Sequence, residues 1–137
     1  MQITPHARML GYAGLLPFIT LPIIGFLGLH DTDAVVKIFI QYSAVILAFL
    51  GGIHWYDALH RTAKKMQLSV AMLPSLLAWC CLLMPALDSA IVLLIAGFVG
   101  MLFYDLQTLK IDRAYKNLRI QLTTVTVLGH SAMLLMN

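Results

Sequence analysis

The chain alternates long apolar runs with short polar interruptions. Five runs, at about 9–29, 34–59, 68–84, 90–109 and 120–136, each approach the roughly 20 residues that a bilayer's hydrocarbon layer asks of a helix. The second run organises the rest. At the helical period its Ser43, Leu47, Leu50, His54, Asp57 and Arg61 fall in one arc, spaced 4-3-4-3-4. Beside that arc runs a strip of Ala44, Ala48, Gly51 and Gly52, flat enough for another helix backbone to approach. A helix with both features has little surface left for lipid, so the second segment is expected at the centre of a bundle. The fifth run repeats the rhythm with Arg119, Thr123, Thr126, His130, Met133 and Asn137. Matching ridges on antiparallel helices suit near-parallel packing, which predicts that segments two and five pair directly, with Asp57 near Arg119.

The interruptions carry their own signals. Pro17 and Pro22 predict a kinked first segment, tolerated in a membrane where neighbouring helices satisfy the freed carbonyls. Asp31, Thr32 or Asp33 is available to cap the second segment. Segment three carries Pro74 and Trp79. In segment four, Ala96, Gly97 and Gly100 form a small-residue strip suited to helix packing, either within the chain or against another protein.

Composition narrows the class. Of 137 residues, 61% are hydrophobic and 11% charged, whereas a soluble chain carries about 25% charged residues. The expected fold is all-α: a single domain, a polytopic membrane bundle of five transmembrane helices. Little chain is left over for a soluble site, so function is expected within the bundle or on a partner. The net charge of +3, from nine Lys and Arg against six Asp and no Glu, does not read as a nucleic-acid surface. Eight of the nine basic residues (all but Lys37) fall at Arg8, in 61–65 and in 110–119, one side of a five-span chain. The positive-inside rule makes that side cytoplasmic, giving N-in and C-out in a bacterial inner membrane. The first apolar run is longer than the 7–15 residues of a signal-peptide core, so it is expected to stay in the mature protein. Cys80 and Cys81 are adjacent, a spacing that seldom reaches disulfide geometry, and read as buried thiols.

Candidate chemistry concentrates near the inner face. His54, Trp55, Asp57, Tyr104, Asp105 and Arg119, with Tyr12, populate one layer, and His130 adds an ionisable group further along segment five. Ionisable side chains at membrane depth are costly, and so are paired or functional. The layer reads either as a salt-bridge and aromatic lock on helix registry or as a site for a quinone-like head group, a proton or a cofactor. His54-x-x-Asp57-x-x-His60 is a poor metal site, because its two histidines splay around the helix. Haem would need facing axial histidines, and the ridge alignment sets His54 and His130 at different depths. No Gly-rich phosphate loop, Ser-His-Asp arrangement or CxxC is present.

Tyr42 with Phe49-Leu50-Gly51-Gly52-Ile53-His54-Trp55, then Leu73-Pro74-Ser75-Leu76-Leu77-Ala78-Trp79, Tyr104-Asp105, and Leu118-Arg119 with Leu122-Thr123, resemble the small membrane proteins of domain of unknown function 3429. Their eukaryotic relatives include the transmembrane protein 69 type. Ala48 stands where that family usually has serine, and Tyr56 where glycine usually follows the tryptophan. The resemblance implies a multi-span bundle in a bacterial or mitochondrial-type membrane and supplies no substrate. The function expected is that of an accessory or assembly subunit, in contact with lipid and with other membrane proteins or a second copy of itself. The alternative is a quinone- or cofactor-associated redox subunit, or a proton-coupled carrier, using the His/Asp cluster.

Overall fold

A computed structural model describes residues 4–60, 65–109 and 112–136, with six helices and no strand among them. Helix α1 (Pro5–Ala13) starts where Thr4 accepts a hydrogen bond from the Ala7 amide and Pro5 occupies the first turn. The chain breaks at Gly14 and Leu15 and resumes as α2 (Leu16–Phe26), so the expected kink lies just ahead of Pro17. The Tyr42 hydroxyl donates to the Gly14 carbonyl at 2.8 Å, satisfying backbone freed by the break. Helix α2 ends three residues earlier than its apolar run. Gly28, at φ +64°, donates to the Gly25 carbonyl while Leu29 donates to Ile24, a Schellman turn.

Helix α3 (Thr32–His60) is capped by Asp31, whose Oδ2 accepts the Ala34 amide at 3.0 Å. Helices α4 (Lys65–Leu83), α5 (Leu87–Thr108) and α6 (Arg113–Met136) follow. Much of the expected basic loop at 110–119 is therefore helix: Asp112 receives the Arg113 amide on its side chain and the Lys116 amide on its carbonyl, starting α6 early.

Four stretches among the described residues are long and apolar enough to cross a membrane: Pro5–Phe26, Thr32–His60, Met66–Leu83 and Leu87–Thr108. Helix α6 falls short on hydropathy. The residues that lower its average include Arg119, Thr123, Thr126 and His130, all buried in the bundle.

Helices α2, α3, α5 and α6 form a ring, each packed on the next, and α4 lies outside it against α3 and α5. This corrects the expected pairing of the second and fifth segments. Helices α3 and α6 occupy opposite corners of the ring, and α2 and α5 are the neighbours of both. Each ring helix sends one aromatic side chain to the centre. Phe18, Phe39 and Phe98 surround His130, with ring centroids 5.6, 4.7 and 5.4 Å from the imidazole. Small residues permit the closest crossings. A Cβ on Gly51 would lie 2.8 Å from the Ala71 carbonyl oxygen of α4, and one on Gly129 would lie 2.5 Å from that of Phe18. Ala44 is buried, Ala48 packs against the core, and Gly97 lies against Leu47 and Leu77. Gly52 and Gly100 depart from the expected packing role, since a Cβ on either would meet nothing within 4 Å.

Candidate functional site

The ridge on α3 turns inward as its spacing predicts. Ser43, Leu47, Leu50 and His54 are buried and Asp57 is half-buried; Arg61 lies outside the described residues. On α6, Arg119, Thr123, Thr126, His130 and Met133 are buried, and Asn137 lies outside the described residues. The groups joining the two ridges come from α5. Asp105 is 3% exposed, beside His54 and Arg119 at 5% each. Its Oδ1 lies 2.5 Å from His54 Nε2, and its Oδ2 accepts from Arg119 Nε at 2.5 Å. A carboxylate only accepts, so Nε2 carries the imidazole proton in this contact. One carboxylate thus ties three helices together at the end of the bundle that carries the basic segments. The Tyr104 ring packs on the His54 imidazole at 4.5 Å.

Asp105 supplies the counter-charge to Arg119. Arg119 Nη2 also makes an ion-pair contact with Asp105 Oδ2. That contact is an ion pair without an aligned hydrogen bond among the described residues. Two buried charges are tolerable when they meet each other with good geometry, and costly when one is removed.

The sequence-predicted layer therefore divides. His54, Tyr104, Asp105 and Arg119 come together, but the carboxylate facing Arg119 is Asp105 and not the expected Asp57. Trp55 leaves the cluster: it is 42% exposed, one residue and so about 100° around the helix from His54. Tyr12 lies nearby on α1, donating to Gln121 of α6 at 2.6 Å. His60 bonds the Tyr56 carbonyl of its own helix and does not join His54. His130 stands apart, roughly 16 Å along α6 from Arg119 by helical rise. Its Nδ1 donates to the Thr126 carbonyl at 2.7 Å, leaving Nε2 as a buried acceptor with no donor among the described residues; Ser43 Oγ is likewise buried and unpartnered among them. Sequence reading missed this cage of Phe18, Phe39 and Phe98, because aromatic residues in an apolar run carry no signal of which helices share a level. Cys81 is buried, whereas Cys80 is exposed, a correction to the expectation of two buried thiols.

A cavity of about 160 Å³ lies between the two polar levels, reaching from Arg119 past Thr123 and Thr126 to Phe18 and Phe98. On the outer surface, α4 and α5 enclose a wider apolar groove of about 540 Å³, with Gly97 and Gly100 in its lining.

Residues 3–135 match the family described as a protein of unknown function, DUF3429. The chain belongs to this family. Among the relatives of this DUF3429 chain is transmembrane protein 69 of Xenopus tropicalis, 37% identical over 128 residues. The match covers 88% of the chain and 50% of that relative, so the chain spans about half the relative's length. No solved structure matches. A family match, a relative named as a transmembrane protein and several helices of membrane-crossing length agree on a helical membrane protein.

Proposed function

We propose that the protein is an accessory or assembly subunit that seats a transmembrane helix of another membrane protein in the groove between α4 and α5. The groove itself carries this reading. Leu73, Leu76 and Leu77 of α4 face Ala96, Gly97 and Gly100 of α5 across it. Gly97 already contacts Leu47 and Leu77 within the chain, but Gly100 is open, leaving bare backbone on an apolar surface. In lipid, where the hydrophobic effect does not drive helices together, small residues promote association by allowing close backbone approach.

The reading includes five crossings of a bacterial cytoplasmic membrane, N-terminus inside, with α6 as the fifth. At 24 residues α6 is roughly 36 Å long, sufficient for a hydrocarbon layer of about 30 Å. The grouping of basic residues supports the orientation.

The test is Gly100→Leu, whose Cβ would meet nothing within 4 Å and whose side chain projects into the groove. Native mass spectrometry after mild detergent extraction is expected to find a stoichiometric membrane-protein partner with the wild type and to lose it with the variant, at unchanged melting temperature. A wild type that leaves the membrane alone, or a variant that keeps its partner, overturns the reading.

A further inference from the structure

Some hydroxyls on these helices are spent locally. Thr20, Thr108, Thr124 and Ser131 each donate to the carbonyl one turn back, at 2.6–2.9 Å. Thr123 and Thr126 make no such bond among the described residues, and both line the 160 Å³ cavity together with Arg119. Arg119 is 5% exposed, and its guanidinium, ion-paired with Asp105, borders this cavity as well. Three donor-bearing side chains, on one face of α6 and spread over roughly 10 Å of rise, thus border a single cavity. Its other walls are apolar, including Leu15, Phe18, Phe98 and Leu122.

We propose that this cavity binds the head group of a membrane-dissolved carbonyl-bearing ring, a lipid of the quinone class. Volume is the first argument, since a cavity of about 150 Å³ holds one benzene ring. Charge is the second. Asp105 already neutralises Arg119, so an anionic head group would leave a buried negative charge uncompensated, whereas a neutral carbonyl accepts from the same donors without that penalty. Access is the third. Leu10 of α1 and Phe49 of α3 line the cavity and are exposed on the lateral surface, a way in for a ring and out for its tail. The inference goes beyond the subunit reading and does not depend on it, since the cavity and the α4–α5 groove have separate linings.

The experiment titrates the full chain in detergent with a decyl-tailed benzoquinone, followed calorimetrically, with oleate as competitor. Saturable one-to-one binding is expected, insensitive to an equal concentration of oleate. Replacing both hydroxyls by methyls, Thr123→Val with Thr126→Val, should raise Kd about tenfold, as expected for two lost hydrogen bonds. Gly11→Leu occupies the cavity from α1, where a Cβ would lie 3.4 Å from the Leu122 side chain, and should abolish binding even if the double variant fails to fold. Absence of saturable binding, binding unaltered in Gly11→Leu or the folded double variant, or displacement by oleate overturns the proposal.

Discussion

Asp105 is the residue on which the polar interior turns, because it joins both His54 and Arg119. Asp105→Asn is expected to lower stability by about 3–5 kcal/mol, since it strands a guanidinium with no counter-charge. Thermal unfolding in detergent measures this, and Asp105→Leu combined with Arg119→Met should recover most of the loss. Glycines give a second residue-scale contrast. Gly51→Ala forces a Cβ to within 2.8 Å of the Ala71 carbonyl and should lower the melting temperature. Gly52→Ala points into open space and should raise stability by up to about 1 kcal/mol through helix propensity alone. Sequence reading placed both glycines on one strip, yet neighbours on a helix are about 100° apart and cannot face the same partner. Gly129 escaped notice for the opposite reason. It stands alone among larger residues, and only the crossing of α2 shows why a side chain is excluded there.

At the scale of elements, the two polar ridges were legible and their pairing was not. A 4-3-4-3-4 spacing fixes which face of a helix turns inward, and both ridges do turn inward wherever they are described. It does not fix which helices become neighbours, because that depends on how side-chain volumes fill the ring. Asp105 ends an otherwise apolar ridge of Ile91, Leu94, Phe98 and Met101, spaced 3-4-3-4, so a reading of polar ridges passed over it in favour of Asp57. Chain proximity could have selected it: residues 105 and 119 flank one short connection between antiparallel helices and so lie at similar height. The break between α1 and α2 gives a further prediction. Tyr42→Phe deletes the hydrogen bond to the Gly14 carbonyl and should cost about 1 kcal/mol, with hydrogen exchange rising near the break ahead of the rest of the bundle.

For the whole molecule, the hydropathy of α6 and its burial point in different directions. Scored as an isolated segment it falls short of a crossing, but much of the polarity that lowers its score is hidden in the bundle. Topology reporters separate the alternatives. With five crossings, a fusion after residue 88 reports from outside and one after residue 112 from inside, while the end of α6 returns outside. A reporter beyond α6 that reads from the cytoplasmic side rules out the fifth crossing.

The neighbouring thiols on α4 offer a footprinting handle. Cys80 lines the α4–α5 groove and is exposed, while Cys81 is buried in the core. A membrane-permeant maleimide should therefore alkylate Cys80 quickly and Cys81 only when the helices part. The first rate reports whether the groove is occupied and the second whether the bundle is intact, so one native pair of adjacent sulfurs distinguishes docking from unfolding.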